Sequence, residues 1–133
     1  MRRSIVPVVA IFLVACSSPS TATTVSPSGP PVRPRVAAPP GATLGGFSTK
    51  SLRAPAGNPI TIVFRNADRG VDHNVQIYVG GVATGTPVFA PPGNAMIAGP
   101  ASATYLVGAL PAGTYTFDCF AHPATMVGTL TVG

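Results

Sequence analysis

The residues able to do chemistry gather in one stretch, Cys119-Phe-Ala-His122-Pro-Ala-Thr-Met126, which puts a thiol, an imidazole and a thioether on one short loop. The chain has only two histidines in 133 residues, and the other, His73, lies well upstream. A thiolate, two imidazole nitrogens and a weak second sulfur form a donor set that copper accepts and few other metals favour together. One site built from His73, Cys119, His122 and Met126 uses every strong soft-metal ligand of the C-terminal part, with none left over. That economy predicts a single mononuclear copper ion.

Each of these residues also has an ordinary reading. A lone cysteine is most often a small buried hydrophobe, and Met126 or Met96 alone would be core filler. An inward histidine on a strand is usually a hydrogen-bonded core residue. Coincidence of all the donors, with no spare histidine, favours the metal. A disulfide between Cys16 and Cys119 would tie the chain's beginning to a buried loop. A Cys–His nucleophilic pair would need an orienting third group and an oxyanion site, and neither is in the sequence. Zinc asks for a fourth strong ligand. Oxygen or nitrite chemistry at copper needs further histidines, so no enzymatic activity is expected.

Short β-type runs must position the donors. Phe47 to Leu52, Ile60 to Phe64, His73 to Val79, Ala103 to Leu110, Gly113 to Cys119 and Met126 to Val132 are split by Gly- and Pro-containing turns. A further short strand is expected near Met96 and Ile97. Alternation places His73, Val75, Ile77 and Val79 on one apolar face and Gln76 on the other. The same parity turns Tyr115, Phe117, Cys119 and Met126 inward, with His122 on the turn between. No helical period competes. The pattern predicts an all-β chain folded as an antiparallel Greek-key β-sandwich over residues 44–133. Leu110-Pro-Ala-Gly-Thr-Tyr115 has the form of a tyrosine corner.

The first 43 residues read differently. Met1-Arg2-Arg3 and the apolar run Ile5–Ala15 form a signal peptide over residues 1–15, since eleven helical residues rise only about 16 Å and cannot cross a bilayer. Leu13-Val14-Ala15-Cys16 resembles the lipobox of bacterial lipoproteins, in which the cysteine is acylated and becomes the mature N-terminus. Cys16 is therefore expected to carry a lipid anchor on the extracytoplasmic face of the cell membrane. Residues 16–43, rich in Ser, Thr, Ala and Pro, are expected to form a disordered tether. From Leu44 onward four cations stand against three carboxylates, scattered along the chain, so no basic face for nucleic acid is expected.

His73-Asn74, followed by Gly113-Thr-Tyr-Thr-Phe-Asp-Cys119-Phe-Ala-His122-Pro-Ala-Thr-Met126-Val-Gly-Thr-Leu-Thr-Val132, resembles the small blue copper proteins, or cupredoxins, of plastocyanin, pseudoazurin and amicyanin type. The resemblance implies copper near one pole of the sandwich, bound by His73, Cys119 and His122 with Met126 as the weak axial ligand. The three residues between His122 and Met126 fall between the amicyanin and plastocyanin spacings. The resemblance further implies that Asn74 pins the cysteine loop. It also implies that a redox partner protein docks near His122, on a rim made by Phe120, Ala121, Pro123 and Ala124, and that the protein is monomeric. The expected role is a membrane-tethered carrier of single electrons; the alternative is copper storage or delivery.

Overall fold

Alternating side chains set the strands, and the computed structural model, which describes residues 25–133, contains nine of them among those residues. They are β1 (Arg35–Ala38), β2 (Ser51–Ala54), β3 (Pro59–Asn66), β4 (Asp72–His73), β5 (Gln76–Val79), β6 (Ile97–Ala98), β7 (Ala101–Ala109), β8 (Gly113–Asp118) and β9 (Val127–Val132), with one helical turn, α1 (Ala42–Gly45). One sheet has the order β1-β3-β7, the other β2-β9-β8-β5, and β4 pairs with β6 as a small ribbon. Neighbouring strands are antiparallel except for one parallel edge pair in each large sheet, β1 with β3 and β2 with β9. This is the all-β sandwich that the alternation predicts.

The two sheets close on a single apolar core. Phe47, from the loop before β2, fills the space between them. Its ring lies 6.2 Å edge-on from Phe64 of β3 and 5.7 Å from Phe117 of β8. Burying one such side chain contributes about 1.5–3 kcal/mol. At one pole the Tyr115 hydroxyl donates to the Pro111 carbonyl at 2.8 Å, the tyrosine corner expected from the sequence.

Three local expectations are corrected. Part of the supposed tether is folded: Arg35–Ala38 is an edge strand with Val36 and Ala38 buried in the core, and Val32 bridges to Ile60. Prolines suit an edge, where a missing N–H costs no ladder bond, so a Pro-rich composition concealed a strand. The first strand after it starts at Ser51, not Phe47, because Phe47 serves as a core plug from a loop. The run from His73 to Val79 is not one strand. It breaks at Asn74 and Val75, where the chain passes from the small ribbon to the four-stranded sheet.

That break cancels the simple parity. Gln76, expected outside, is buried: its Nε2 donates to Asn94 Oδ1 at 2.8 Å, and Tyr78 donates to its Oε1 at 2.7 Å. Val79, expected inside, is exposed. The segment between Gly80 and Ser102 causes this by folding back along β5. There Ile77 donates to the Phe89 carbonyl and accepts from Val88, and the turn Pro92–Asn94 covers Gln76.

Two residues near the end of β8 generate predictions. Gly128 stands opposite Phe117 in the β8–β9 register, and a methyl group there would collide with the Phe117 ring. Gly128→Ala is expected to destabilise the fold by about 1–3 kcal/mol, read as a lower denaturant midpoint. Asp118 is buried with its Oδ1 unpartnered among the described residues, and burial pushes its carboxyl up from 3.8 to about 6. The folded state therefore holds this proton more tightly than the unfolded chain does. Its stabilising contribution is complete below about pH 4 and lost as pH rises through about 6. In the metal-free protein, Asp118→Asn should gain stability relative to wild type between pH 4 and pH 7, measured by denaturation across that range.

Candidate metal centre

Strand ends bring the donors together. β8 runs up to Asp118, so Cys119 is the first residue beyond the ladder and is fully buried. The Cys119 N–H donates to the Met126 carbonyl at 3.1 Å and closes the neck of the loop just before β9. Inside the loop, the His122 N–H bonds to the Cys119 carbonyl at 3.0 Å and the Met126 N–H to the His122 carbonyl at 2.9 Å. Eight residues therefore fold as consecutive tight turns closed by their own backbone hydrogen bonds. His73 comes from β4, held by pairing with Ile97 of β6, and is fully buried.

The result is a compact donor cluster. One ligand atom each from His73, Cys119 and His122 lies within 4.8 Å of the others. Cys119 Sγ is 3.8 Å from His73 Nδ1 and 3.8 Å from His122 Nδ1. The two imidazole rings are 5.0 Å apart between centroids and inclined by 65°. Met126 is fully buried at the end of the same loop. His122 alone is partly exposed.

Neighbouring groups hold these side chains in place. Asn74 is buried, accepts the Phe120 N–H on Oδ1 at 2.9 Å, and donates to the Asn94 and Ala95 carbonyls at 3.2 and 3.3 Å. It thereby joins the cysteine loop to the turn at Pro92–Asn94. Thr125 Oγ1 donates to the Thr43 carbonyl at 2.6 Å, tying the loop's far side to α1. Gly46 packs so close to the Thr125 carbonyl that a side chain would not fit.

Sequence reasoning missed Asp68. Its Oδ2 lies 3.0 Å from His73 Nε2, and its Oδ1 accepts the Gly41 N–H at 2.9 Å. The hydrogen bond from His73, then that from Gly41, holds this carboxyl below its ordinary value. No spacing rule links residues 68 and 73, because the turn at Arg69–Val71 sets their approach. Met96, read as core filler, is instead partly exposed beside Ala95. Cys16 lies outside the described residues.

The donors fit one copper ion. A thiolate and two nitrogens converge, both imidazoles offer Nδ1 to the sulfur side, and with Nε2 donating to Asp68 the His73 Nδ1 keeps its lone pair. His73, Cys119, His122 and Met126 together supply the mixed soft and borderline ligation of a mononuclear copper centre. Zinc would find three strong donors here rather than four.

Comparison with known proteins places this geometry. The chain is similar in structure to an auracyanin from Roseiflexus castenholzii, at 23% identity over 81% of this chain and 99% of that one, with a TM-score of 0.62. It is similar to rusticyanin at 28% identity over 83% and 84% of the two chains, with a TM-score of 0.53. A plastocyanin from Dryopteris crassirhizoma matches at 25% identity over 74% and 99%, with a TM-score of 0.54. A search by sequence among curated proteins gives no match. The model of the cupredoxin-like domain matches residues 41–132, a span that contains every donor of the cluster, and the chain therefore belongs to the cupredoxin-like family.

Proposed function

We propose that this protein carries single electrons through one copper ion, anchored by its N-terminal lipid to the extracytoplasmic face of a bacterial cell membrane. The observation that carries the redox reading is the buried sulfur with two imidazole nitrogens around it, one of them on a ring that reaches the surface. Copper supplies a one-electron couple. The chain supplies a site whose ligands are already gathered and braced, so little has to move when the charge changes. Both histidines are committed to it, which leaves none for a second, catalytic copper. The rusticyanin and auracyanin it resembles are described in their reduced states and the plastocyanin in its oxidised form.

The surface at this pole suits a brief encounter with a redox partner. Phe120, Ala121, Pro123 and Ala124 are exposed around His122 and carry no charge. Leu44 of α1 and Met96 add apolar surface from the two loops tied to the cysteine loop. A small apolar patch favours short-lived contact over a stable complex.

The anchor reading rests on the lipobox-like Leu13-Val14-Ala15-Cys16, and the direction of the chain is consistent with it. No helix among the described residues is long and apolar enough to cross a membrane. The Ser28 N–H bonds to the Gly57 carbonyl, and the Gly57 N–H to the Leu110 carbonyl. These contacts lie at the Gly113 end of β8, whereas Cys119 lies at the other. The first described residues thus meet the domain at the pole opposite the donor cluster, which supports a tether that enters away from the rim around His122.

Three experiments check these readings. The Cu(II)-loaded protein should absorb strongly in the visible through thiolate-to-copper charge transfer, bleach reversibly on reduction, and lose the band in Cys119→Ser. Retention of copper through repeated redox cycling supports the carrier, whereas rapid loss to a modest chelator would favour storage or delivery. In cells, Cys16→Ser should shift the protein from the membrane to the soluble extracytoplasmic fraction. Unchanged membrane association would refute the anchor.

A further inference from the structure

His73 and His122 offer the same atom to the sulfur, but their other nitrogens differ. His73 Nε2 meets a carboxylate, Asp68 Oδ2, at 3.0 Å, while His122 has no carboxylate partner among the described residues. Asp68 is itself built in. Its N–H donates to Asn66 Oδ1 at 2.9 Å, and Asn66 is held through Nδ2 by the Val71 and Ile97 carbonyls, both at 2.8 Å. Gly99 lies so close to the Asp68 carbonyl that a side chain there would collide with it. Asp68 is largely buried, and among the described residues no lysine or arginine pairs with its carboxylate. A negative charge is thus held with limited access to water, one imidazole ring away from the metal-binding atom.

We propose that Asp68 is a positioning residue for the copper site, fixing the His73 ring with its proton on Nε2 and lowering the reduction potential through its uncompensated charge. This inference rests on the copper reading above. The first part follows from the geometry, since a ring that donates from Nε2 must offer its Nδ1 lone pair to the ion. The second follows from electrostatics: a nearby fixed anion stabilises the more positive Cu(II) state over Cu(I), and limited exposure reduces its screening by solvent. One electron is exchanged with the redox partner and no proton moves. The carboxylate shifts only the balance between the two states of the metal.

Asp68→Asn removes the charge but keeps an acceptor for His73; Asp68→Ala removes both. Each also weakens the bond to Gly41, so a drop in thermal stability fits either a structural or a positioning role and decides nothing. The reduction potential and the tautomer decide. In both variants, with the charge-transfer band present, relative binding of Cu(I) over Cu(II) should rise at least tenfold, an upward shift of ~59 mV for a one-electron couple. In the metal-free protein with nitrogen-15-labelled histidine, magnetic resonance should find the His73 proton on Nε2 in wild type and Asp68→Asn. It should move at least partly to Nδ1 in Asp68→Ala. Unmoved potentials in coloured variants overturn the charge effect. A wild-type His73 protonated on Nδ1 overturns the positioning role and needs no variant to fold. A wild type that takes up copper without colour overturns the copper reading and, with it, this inference.

Discussion

The hydrogen bond from the Cys119 N–H to the Met126 carbonyl is the constraint on which the site depends. It extends the β8–β9 ladder by one more pairing and fixes the separation between the start and end of the donor loop. Within that closed neck, only a compact chain of turns fits, and those turns hold His122 beside the sulfur. The sandwich as a whole makes the closure stable. Phe117, two residue pairs below, fills the space over Gly128, and Phe47 packs against the Phe117 ring from between the sheets.

A second constraint is that polar side chains buried around the donors need partners. Buried side chains that can hydrogen-bond need partners, and a missing one costs about 1–3 kcal/mol. Here the partners double as braces. Asn74 meets the Phe120 N–H and two carbonyls of the Asn94–Ala95 turn, and Asp68 meets His73 and Gly41. The imidazoles and the sulfur are thus aimed at one another by protein groups around them. The preformed geometry limits the rearrangement that accompanies electron transfer.

The two poles of the sandwich carry different features. At one, the loop between β8 and β9 meets the segments before β2 and before β6 around the donors, with the uncharged Phe120, Ala121, Pro123 and Ala124 exposed about His122. At the other, the tyrosine corner and the first described residues of the chain meet the turn at Gly57. β8 spans the distance between them, so the first described residues and the donor cluster lie at opposite ends of the same strand.

Much of this was legible from residue order. Regular alternation of apolar residues in β3, β8 and β9 identified the strands, because β3 and β9 turn one face to the core and β8, buried on both faces from Tyr115 onward, keeps Tyr115 and Phe117 on one of them. The economy of ligands pointed to His73, Cys119, His122 and Met126 without coordinates, since two histidines and one loop cysteine leave little choice. Alternation failed from His73 to Val79, where a crossing between two sheets and an overlying loop buried both Asn74 and Gln76. It also failed at β1, where prolines at an edge look like a linker.

What the sequence determined by itself was the fold class and the identity of the donors, because period-two patterning and ligand chemistry are properties of local order. Only the tertiary structure decided how those donors are braced. The partner of His73 is a carboxylate five positions away across a turn, and the partner of the Phe120 N–H is an amide 46 positions away. Such pairings depend on how loops from different strands meet in space, and no pattern along a single strand encodes that.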